Sequence, residues 1–468
     1  MPAKSILIGG TGSHVGKSWM AAAICRWLRR KGLRVAPFKA QNMSNNSFPG
    51  PQGGEIGRAQ VVQAEACGLA PSPDMNPILL KPTADARSQV VVHGKVWKDL
   101  SAGEYYEQHD WLLERVLESH GRLSREFDYI VMEGAGSIVE LNLRRTDLVN
   151  LGLARRLGAP ALLVGDIDRG GIFAAIHGTI DLLDGEEARL VKAFAVNRFR
   201  GDLKLFDSGV EILESKTSRP CLGVFPWLEG VQIDEEDGVS LDFFVPARED
   251  QPRIAILRFP RISNLTDFRL LRWAEWIHRA DTGRFDVVIL PGTKNTIADL
   301  AWMRSRGLDE WVKRQHAGGA HIVGVCGGYQ MLGRRIDDPN GIESAAGAVN
   351  GLGLLPVSTT LEMEKTTVAV RAIMPSGASF GAYEIHMGRT ERPENTAPFA
   401  YVEGRPEGVR QERCTGTYLH GALENPAVLR ELLGIEVDDP MTKEATYDRL
   451  AGWFEAAADT ALFERLYL

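Results

Sequence analysis

Cysteine is scarce in this 468-residue sequence, long apolar runs are missing, and there is no excess of positive charge. The five cysteines, at 25, 67, 221, 326 and 414, are odd in number and scattered, and they include no Cys-x-x-Cys pair. That excludes a disulfide framework and a cysteine zinc site, and it points to a reducing cytoplasm. No apolar stretch approaches the roughly 20 residues of a bilayer span, and the first residues lack the charged-then-apolar order of a signal peptide. With 54 Lys and Arg against 61 Asp and Glu, the net charge of −7 gives no footprint for nucleic acid. The basic cluster Arg26-Trp27-Leu28-Arg29-Arg30-Lys31 reads as the solvated end of a helix. Internal repeats and low-complexity tracts are absent as well. The expectation is a cytoplasmic enzyme, long enough for two or three cores, with no nucleic-acid or membrane partner.

The most informative residue present is Cys326, in the run Gly324-Val325-Cys326-Gly327-Gly328-Tyr329-Gln330. It stands between an apolar strand at 321–325 and a helix. Glycines on either side let the backbone turn sharply and leave amide N–H groups beside the sulfur, while the helix directs its positive end at a thiolate. A buried core cysteine needs none of this. Two further glycine-marked turns, Ile289-Leu290-Pro291-Gly292-Thr293-Lys294-Asn295 and Gly416-Thr417-Tyr418-Leu419-His420-Gly421, supply an oxyanion donor and a base. The pattern resembles class I (triad) glutamine amidotransferase domains. That resemblance implies Cys326 as nucleophile, His420 as its base, and an oxyanion hole from the Gly292 turn and the amide of Gly327. The Glu that usually stands two residues beyond the His is Ala422 here, and Glu424 is at the wrong spacing. The orienting acid is therefore missing or comes from elsewhere, which predicts slow basal glutamine hydrolysis, rising when the other substrates bind and improved by A422E.

The chain opens with a buried strand around 6–9, the loop Gly10-Thr11-Gly12-Ser13-His14-Val15-Gly16-Lys17-Ser18, and an amphipathic helix over 19–31. Loop amides and a helix N-terminus converge on an anion in this order of elements; Lys17 reaches the outer phosphate oxygens and Ser18 suits magnesium. Thr11 stands where a standard Walker A has its first glycine, so Gly10 makes the loop one residue longer. That variant resembles the dethiobiotin synthetase group of P-loop enzymes, which activate carboxylates with ATP. Gly12, Gly16, Lys17 and Ser18 are the expected ATP-binding residues. Glu133, ending the strand before Gly134-Ala135-Gly136, and Asp166, in Gly165-Asp166-Ile167-Asp168-Arg169-Gly170-Gly171, join Ser18 as candidate magnesium ligands. Asn197, after another strand, is placed to read adenine.

Strands expected at 6–9, 34–37, 129–132, 161–165, 191–196, 253–257, 286–290 and 321–325 alternate with helical stretches. This predicts an α/β protein of two domains, each a mainly parallel sheet covered by helices. The acidic run Asp234-Glu235-Glu236-Asp237 and the following Pro-rich stretch read as a linker. The expected division is 1–228 for the P-loop domain, 229–252 for the linker, 253–440 for the amidotransferase domain and 441–468 for closing helices.

One stretch narrows the family. Pro37-Phe38-Lys39-Ala40-Gln41-Asn42-Met43-Ser44-Asn45-Asn46 gathers amides too polar for a core, and amides suit amide or carboxylate side arms. Lys39, Gln41, Asn42 and Asn45 are the substrate-binding candidates. Other matching runs are Glu55-Ile56-Gly57-Arg58-Ala59-Gln60, Asn76-Pro77-Ile78-Leu79-Leu80-Lys81-Pro82, Ser88-Gln89-Val90 and Ile262-Ser263-Asn264-Leu265-Thr266-Asp267. Together with the amide stretch and the Asp166–Gly171 turn, they closely resemble the cobyric acid synthase family over nearly the whole chain. The resemblance implies a P-loop amidoligase fused to a flavodoxin-like amidotransferase, acting in cobalamin biosynthesis. Its substrates would be ATP, glutamine and a corrinoid, adenosylcobyrinic acid a,c-diamide, whose b, d, e and g carboxylates are amidated, with ATP and Mg2+ as cofactors. The residue types suit that chemistry. Hydroxide is a poor leaving group, so a carboxylate needs phosphorylation before ammonia can attack it, and ammonia made inside the protein escapes protonation. The alternatives are a cobyrinic acid a,c-diamide synthase and a non-catalytic P-loop regulatory ATPase. Gln41-Asn42-Met43 disfavours the first. Intact Cys326 and His420, and Gly rather than Lys at position 12, disfavour the second.

Overall fold

A buried strand, Lys4–Gly10, lies at the centre of the first of two six-stranded sheets in the computed structural model, which describes residues 2–50, 53–84, 87–231, 251–345, 347–437 and 442–468. In spatial order the strands are Cys221–Pro226, Val191–Phe199, Ala161–Asp166, Lys4–Gly10, Tyr129–Glu133 and Val35–Phe38. All are paired in parallel. Four of the six are buried along their whole length or all but one residue (Lys4–Gly10, Val35–Phe38, Tyr129–Glu133, Ala161–Asp166), as expected where helices cover both faces of a parallel sheet. Helix Lys17–Arg30 follows the first strand directly and buries Met20 to Leu28. Its start at Lys17 rather than 19 puts its first turn on the phosphate loop.

The second parallel sheet has the order Glu275–Ile277, Ile254–Leu257, Val287–Leu290, His321–Val325, Cys414–Thr417 and Val409–Gln411, with only the last strand antiparallel. A long antiparallel hairpin, Ser358–Ile373 with Ser379–Glu391, belongs to a separate sheet. Each strand expected from the sequence is present within two residues at either end, except that the one expected at 191–196 runs three residues further, to Phe199.

The chain divides into two compact units, 1–44, 54–234 and 441–468 in one and 45–53 and 235–440 in the other. This differs in two places from a split at a single linker. Residues 45–53, within the expected P-loop domain, belong to the amidotransferase unit. The C-terminal helices Lys443–Ala457 and Thr460–Tyr467 belong to the P-loop unit, and the reason is apolar. Trp27 of the first helix packs on Phe454 and Phe463, with ring centroids 5.3 and 5.4 Å away, and Phe225 packs on Trp453 at 4.9 Å. Arg26 adds ion pairs to Glu444 (2.7 Å) and Asp448 (2.8 Å). The expected linker, 229–252, lies mostly outside the described residues.

Candidate active site

In the first unit the phosphate loop is held by its neighbours. Gly16 has φ 95°, and a Cβ there would stand 2.1 Å from Asn197 Nδ2, so only glycine fits. Asn197 Nδ2 donates to the Val15 carbonyl at 2.9 Å, which makes Asn197 a brace for the loop. Lys17 is buried, and its ammonium donates to the carbonyls of Gly12 (2.7 Å) and Gly136 (2.9 Å). Gly12 has open space where a side chain would stand. A cationic group folded over a loop of amides at a helix N-terminus fits a polyphosphate.

Ser18 Oγ donates to Glu133 Oε1 at 2.9 Å. A hydroxyl and a carboxylate brought together beside the loop fit a hard cation such as Mg2+. The buried Lys39 ammonium also pairs with Glu133 Oε1 at 3.0 Å, and Gln63 donates to Oε2. Burial pushes the Glu133 carboxyl up, but Lys39, Ser18 and Gln63 outweigh it and hold the group below the usual carboxylate range. The third expected metal ligand is engaged elsewhere: Asp166 pairs with Arg198 at 3.0 Å and accepts the Asp168 N–H at 2.9 Å. Among the described residues, no cluster of three or more His, Cys, Asp or Glu is disposed to hold a metal.

The amide stretch is divided. Lys39, Gln41 and Asn42 lie in the first unit, where Gln41 accepts from the Tyr105 hydroxyl (2.5 Å) and Asn42 donates to Gln60 (3.1 Å). Asn45 lies in the second unit, its side-chain oxygen buried without a hydrogen bond.

In the second unit, Cys326 ends its strand at φ 52° and ψ −111°, with helix Gly327–Leu332 following. A non-glycine residue in that conformation is strained, as residues at functional turns often are. The turn requires its glycines. A Cβ at Gly328 would lie 1.9 Å from the Leu290 carbonyl oxygen, and one at Gly324 would lie 2.6 Å from Leu332 Cδ1. The Gly292 turn lies against both His420 and Cys326, since a Cβ at Gly292 would be 2.9 Å from His420 Cε1 and 3.6 Å from Cys326 Cβ. One at Gly327 would meet the Thr293 amide nitrogen at 3.2 Å. The Gly292 and Gly327 backbones thus converge beside Cys326. The thiol donates to the Ile385 carbonyl at 3.5 Å.

The carboxylate that meets His420 is Asp267. His420 is fully buried and its Nδ1 lies 2.7 Å from Asp267 Oδ2, while Asp267 Oδ1 accepts the Gly421 N–H at 2.7 Å. Burial opposes charge on the imidazole. The Asp267 charge and hydrogen bond, helped by the Cys326 sulfur, outweigh burial and raise His420 to about 10. The inference drawn from Ala422, of a poorly held His and slow hydrolysis, therefore loses its premise. Ala422 is itself buried, so A422E would add a carboxylate to a packed interior. Glu424 is paired with Arg269 at 2.8 Å. Asp267 was visible in the sequence only as the last residue of Ile262–Asp267. It lies 153 positions from His420, and no local spacing joins the two.

No helix among the described residues is long and apolar enough to cross a membrane. Residues 6–241 match the CobQ/CobB/MinD/ParA nucleotide binding domain, and residues 253–428 match the CobB/CobQ-like glutamine amidotransferase domain. Curated relatives named cobyric acid synthase match end to end. The one from Sorangium cellulosum is 44% identical over 100% of this chain and 99% of its own. The one from Dehalococcoides mccartyi strain CBDB1 is 42% identical over 99% and 98%, and the one from Parabacteroides distasonis is 45% identical over 96% and 95%. The chain belongs to the cobyric acid synthase family of glutamine-dependent amidoligases.

Proposed function

From that membership we propose that the chain uses ATP and glutamine to amidate the b, d, e and g carboxylates of adenosylcobyrinic acid a,c-diamide, as a cytoplasmic enzyme. The observation that carries the nitrogen-supplying half is the buried Asp267–His420 pair beside Cys326. His420 takes the thiol proton, and the Cys326 sulfur attacks the side-chain carbonyl of glutamine. The resulting oxyanion is held by backbone amides at Gly292 and Gly327, and its collapse expels ammonia with the proton returned by His420. Water then releases glutamate from the thioester.

Lys17 and the loop amides hold the nucleotide phosphates while a corrinoid carboxylate attacks the γ-phosphorus, forming an acyl phosphate and ADP. Ammonia displaces phosphate from the acyl carbon to leave the amide. Ser18 and Glu133 would hold Mg2+, which when bound supplies positive charge against the phosphate oxygens. Lys39, which pairs with Glu133, is proposed as a substrate-binding residue whose ammonium would face the activated carboxylate. Gln41, Asn42 and Asn45 are proposed to recognise the corrinoid side arms, and Asn197 to combine its brace of the loop with reading adenine.

The deciding experiment is mass spectrometry of the corrinoid product after incubation with enzyme, ATP and glutamine. Four additions of the mass change for carboxylate to amide support this reading. Two additions on cobyrinic acid would make the chain an a,c-diamide synthase, and none on either substrate would leave only the regulatory ATPase.

A further inference from the structure

Asp267 lies on a single 3₁₀ turn, Leu265–Phe268, whose preceding residue Asn264 has φ 54°. A turn of four residues cannot fix a carboxylate by its own hydrogen bonds, so its position depends on what braces it. The brace is the end of the amide stretch and the residues just after it. Asn46 Oδ1 accepts the Leu265 N–H at 3.2 Å, and Asn264 Oδ1 accepts the Ser47 N–H at 3.3 Å. Two side-chain amides thus bind each other's following backbone N–H reciprocally. Asn46, Ser47, Asn264 and Asp267 are all buried, so these bonds are shielded from water. The next residue continues the contact: the Phe48 ring packs on Tyr383 at 4.8 Å, and Tyr383 stacks on the His420 imidazole at 5.3 Å with 22° between planes. Tyr383 and His420 also exchange both backbone hydrogen bonds, at 3.0 and 2.9 Å. One short segment therefore touches the support of the triad acid on one side and the ring stacked on the triad base on the other.

We infer that Asn46, with its reciprocal partner Asn264, is a positioning residue for glutamine hydrolysis: the Asn46–Asn264 clamp fixes the turn that carries Asp267. The inference rests on the proposed roles of Cys326, His420 and Asp267. Its consequence is that the glutaminase is built partly from chain that begins seven residues after Lys39, a residue of the nucleotide-binding unit. Hydrolysis is thereby tied to a segment whose two flanks in sequence are parts of the other unit.

The test uses the full chain and three variants. N46A removes the acceptor. N46D keeps an acceptor for the Leu265 N–H. N264G removes the other amide while tolerating the left-handed backbone. Displacing a catalytic support by about 1 Å costs on the order of 100-fold in rate, so N46A and N264G should lower kcat for glutamine hydrolysis by about 10- to 100-fold. KM for glutamine should stay within about twofold, and N46D should recover to within about threefold of wild type. Amidation driven by free ammonia should persist in all three. A loosened Asp267 also lets the His420 imidazolium lose its proton sooner, so the alkaline limb of kcat/KM should move to lower pH in N46A. The other ionisable groups around the pair are Cys326 and Tyr383; Arg269 and Glu424 are engaged with each other.

Wild-type kcat and an unmoved alkaline limb in folded N46A would overturn the clamp. So would a defect confined to the KM for corrinoid in ammonia-driven amidation, which would make Asn46 a substrate contact. Absence of glutamine hydrolysis in the wild-type chain would instead overturn the proposed function itself.

Discussion

Replacing Asp267 by Asn tests the triad at its least expected member, and the geometry says how it should fail. Asp267 accepts two hydrogen bonds, one from Gly421 N–H and one from His420 Nδ1. The Gly421 N–H can only donate, so in D267N it claims the amide oxygen and leaves the amide NH2 facing Nδ1. Nδ1 must then accept, which places the imidazole proton on Nε2. An Nε2–H tautomer cannot take a proton from the Cys326 thiol. The loss of charge acts in the same direction: burial alone would depress His420, and with the Asp267 charge gone the value falls from about 10. Wrong-tautomer substitutions in triads of this logic cost up to about 10⁴ in kcat, and the intrinsically greater nucleophilicity of sulfur softens the loss. We therefore expect glutamine hydrolysis to fall by about 10² to 10⁴, equivalent to about 3 to 5 kcal/mol on the barrier. The assay is glutamate release, with ammonia-driven amidation in the same preparation as the control for folding. A folded D267N protein within tenfold of wild type would refute the reasoning and leave His420 oriented by its stacking on Tyr383 alone.

Three further outcomes follow from the geometry. C326A should abolish glutamate release yet amidate when free ammonia is supplied at alkaline pH, measured by mass of the corrinoid; loss of that activity in a folded protein would break the division of labour. K17A should lose amidation from either nitrogen source while keeping part of its glutaminase, and near-wild-type amidation would show that Lys17 does not serve phosphoryl transfer. The Glu407 carboxylate tucks against Thr417 and Tyr418, and its desolvation pushes the carboxyl up to about 8 despite the hydrogen bonds they donate. Its folded value lies above its ordinary 4.5, so the folded state retains the proton longer and stability falls as pH rises through that window. E407Q, neutral throughout, should flatten the decline in Tm between pH 4.5 and about 8; an unchanged slope would assign the decline to other groups.

The sheets were legible in the sequence because parallel strands buried on both faces read as short apolar runs, as at Ile6-Leu7-Ile8 and Ile322-Val323. Cys326 was legible because its turn needs glycines at fixed offsets, and the same holds for the loop before Lys17. Asp267 was not, because a triad acid is defined by what it touches, and its partner is far along the chain. Asp166 looked like a metal ligand because it ends a strand at the right edge of the sheet. Its ion pair with the Arg198 guanidinium comes from the neighbouring strand Val191–Phe199, and strand order is invisible in a linear reading. The brace that Asn197 makes on Val15 was hidden for the same reason.

The return of the C-terminal helices to the first unit bears on the order in which the protein is made. When the ribosome has finished the strand Cys221–Pro226, all six strands of the first sheet exist, but Trp27 and Phe225 still lack Trp453, Phe454 and Phe463. About 200 residues, the bulk of the second unit, must emerge before that aromatic face is covered; at the ~5–20 residues per second of synthesis this takes on the order of ten seconds or more. During that interval the nucleotide-binding unit is a nascent chain with an unfinished core. The sequence that finishes it leaves the ribosome only after the second unit has been made, so a chain interrupted within that unit leaves the P-loop unit incomplete as well.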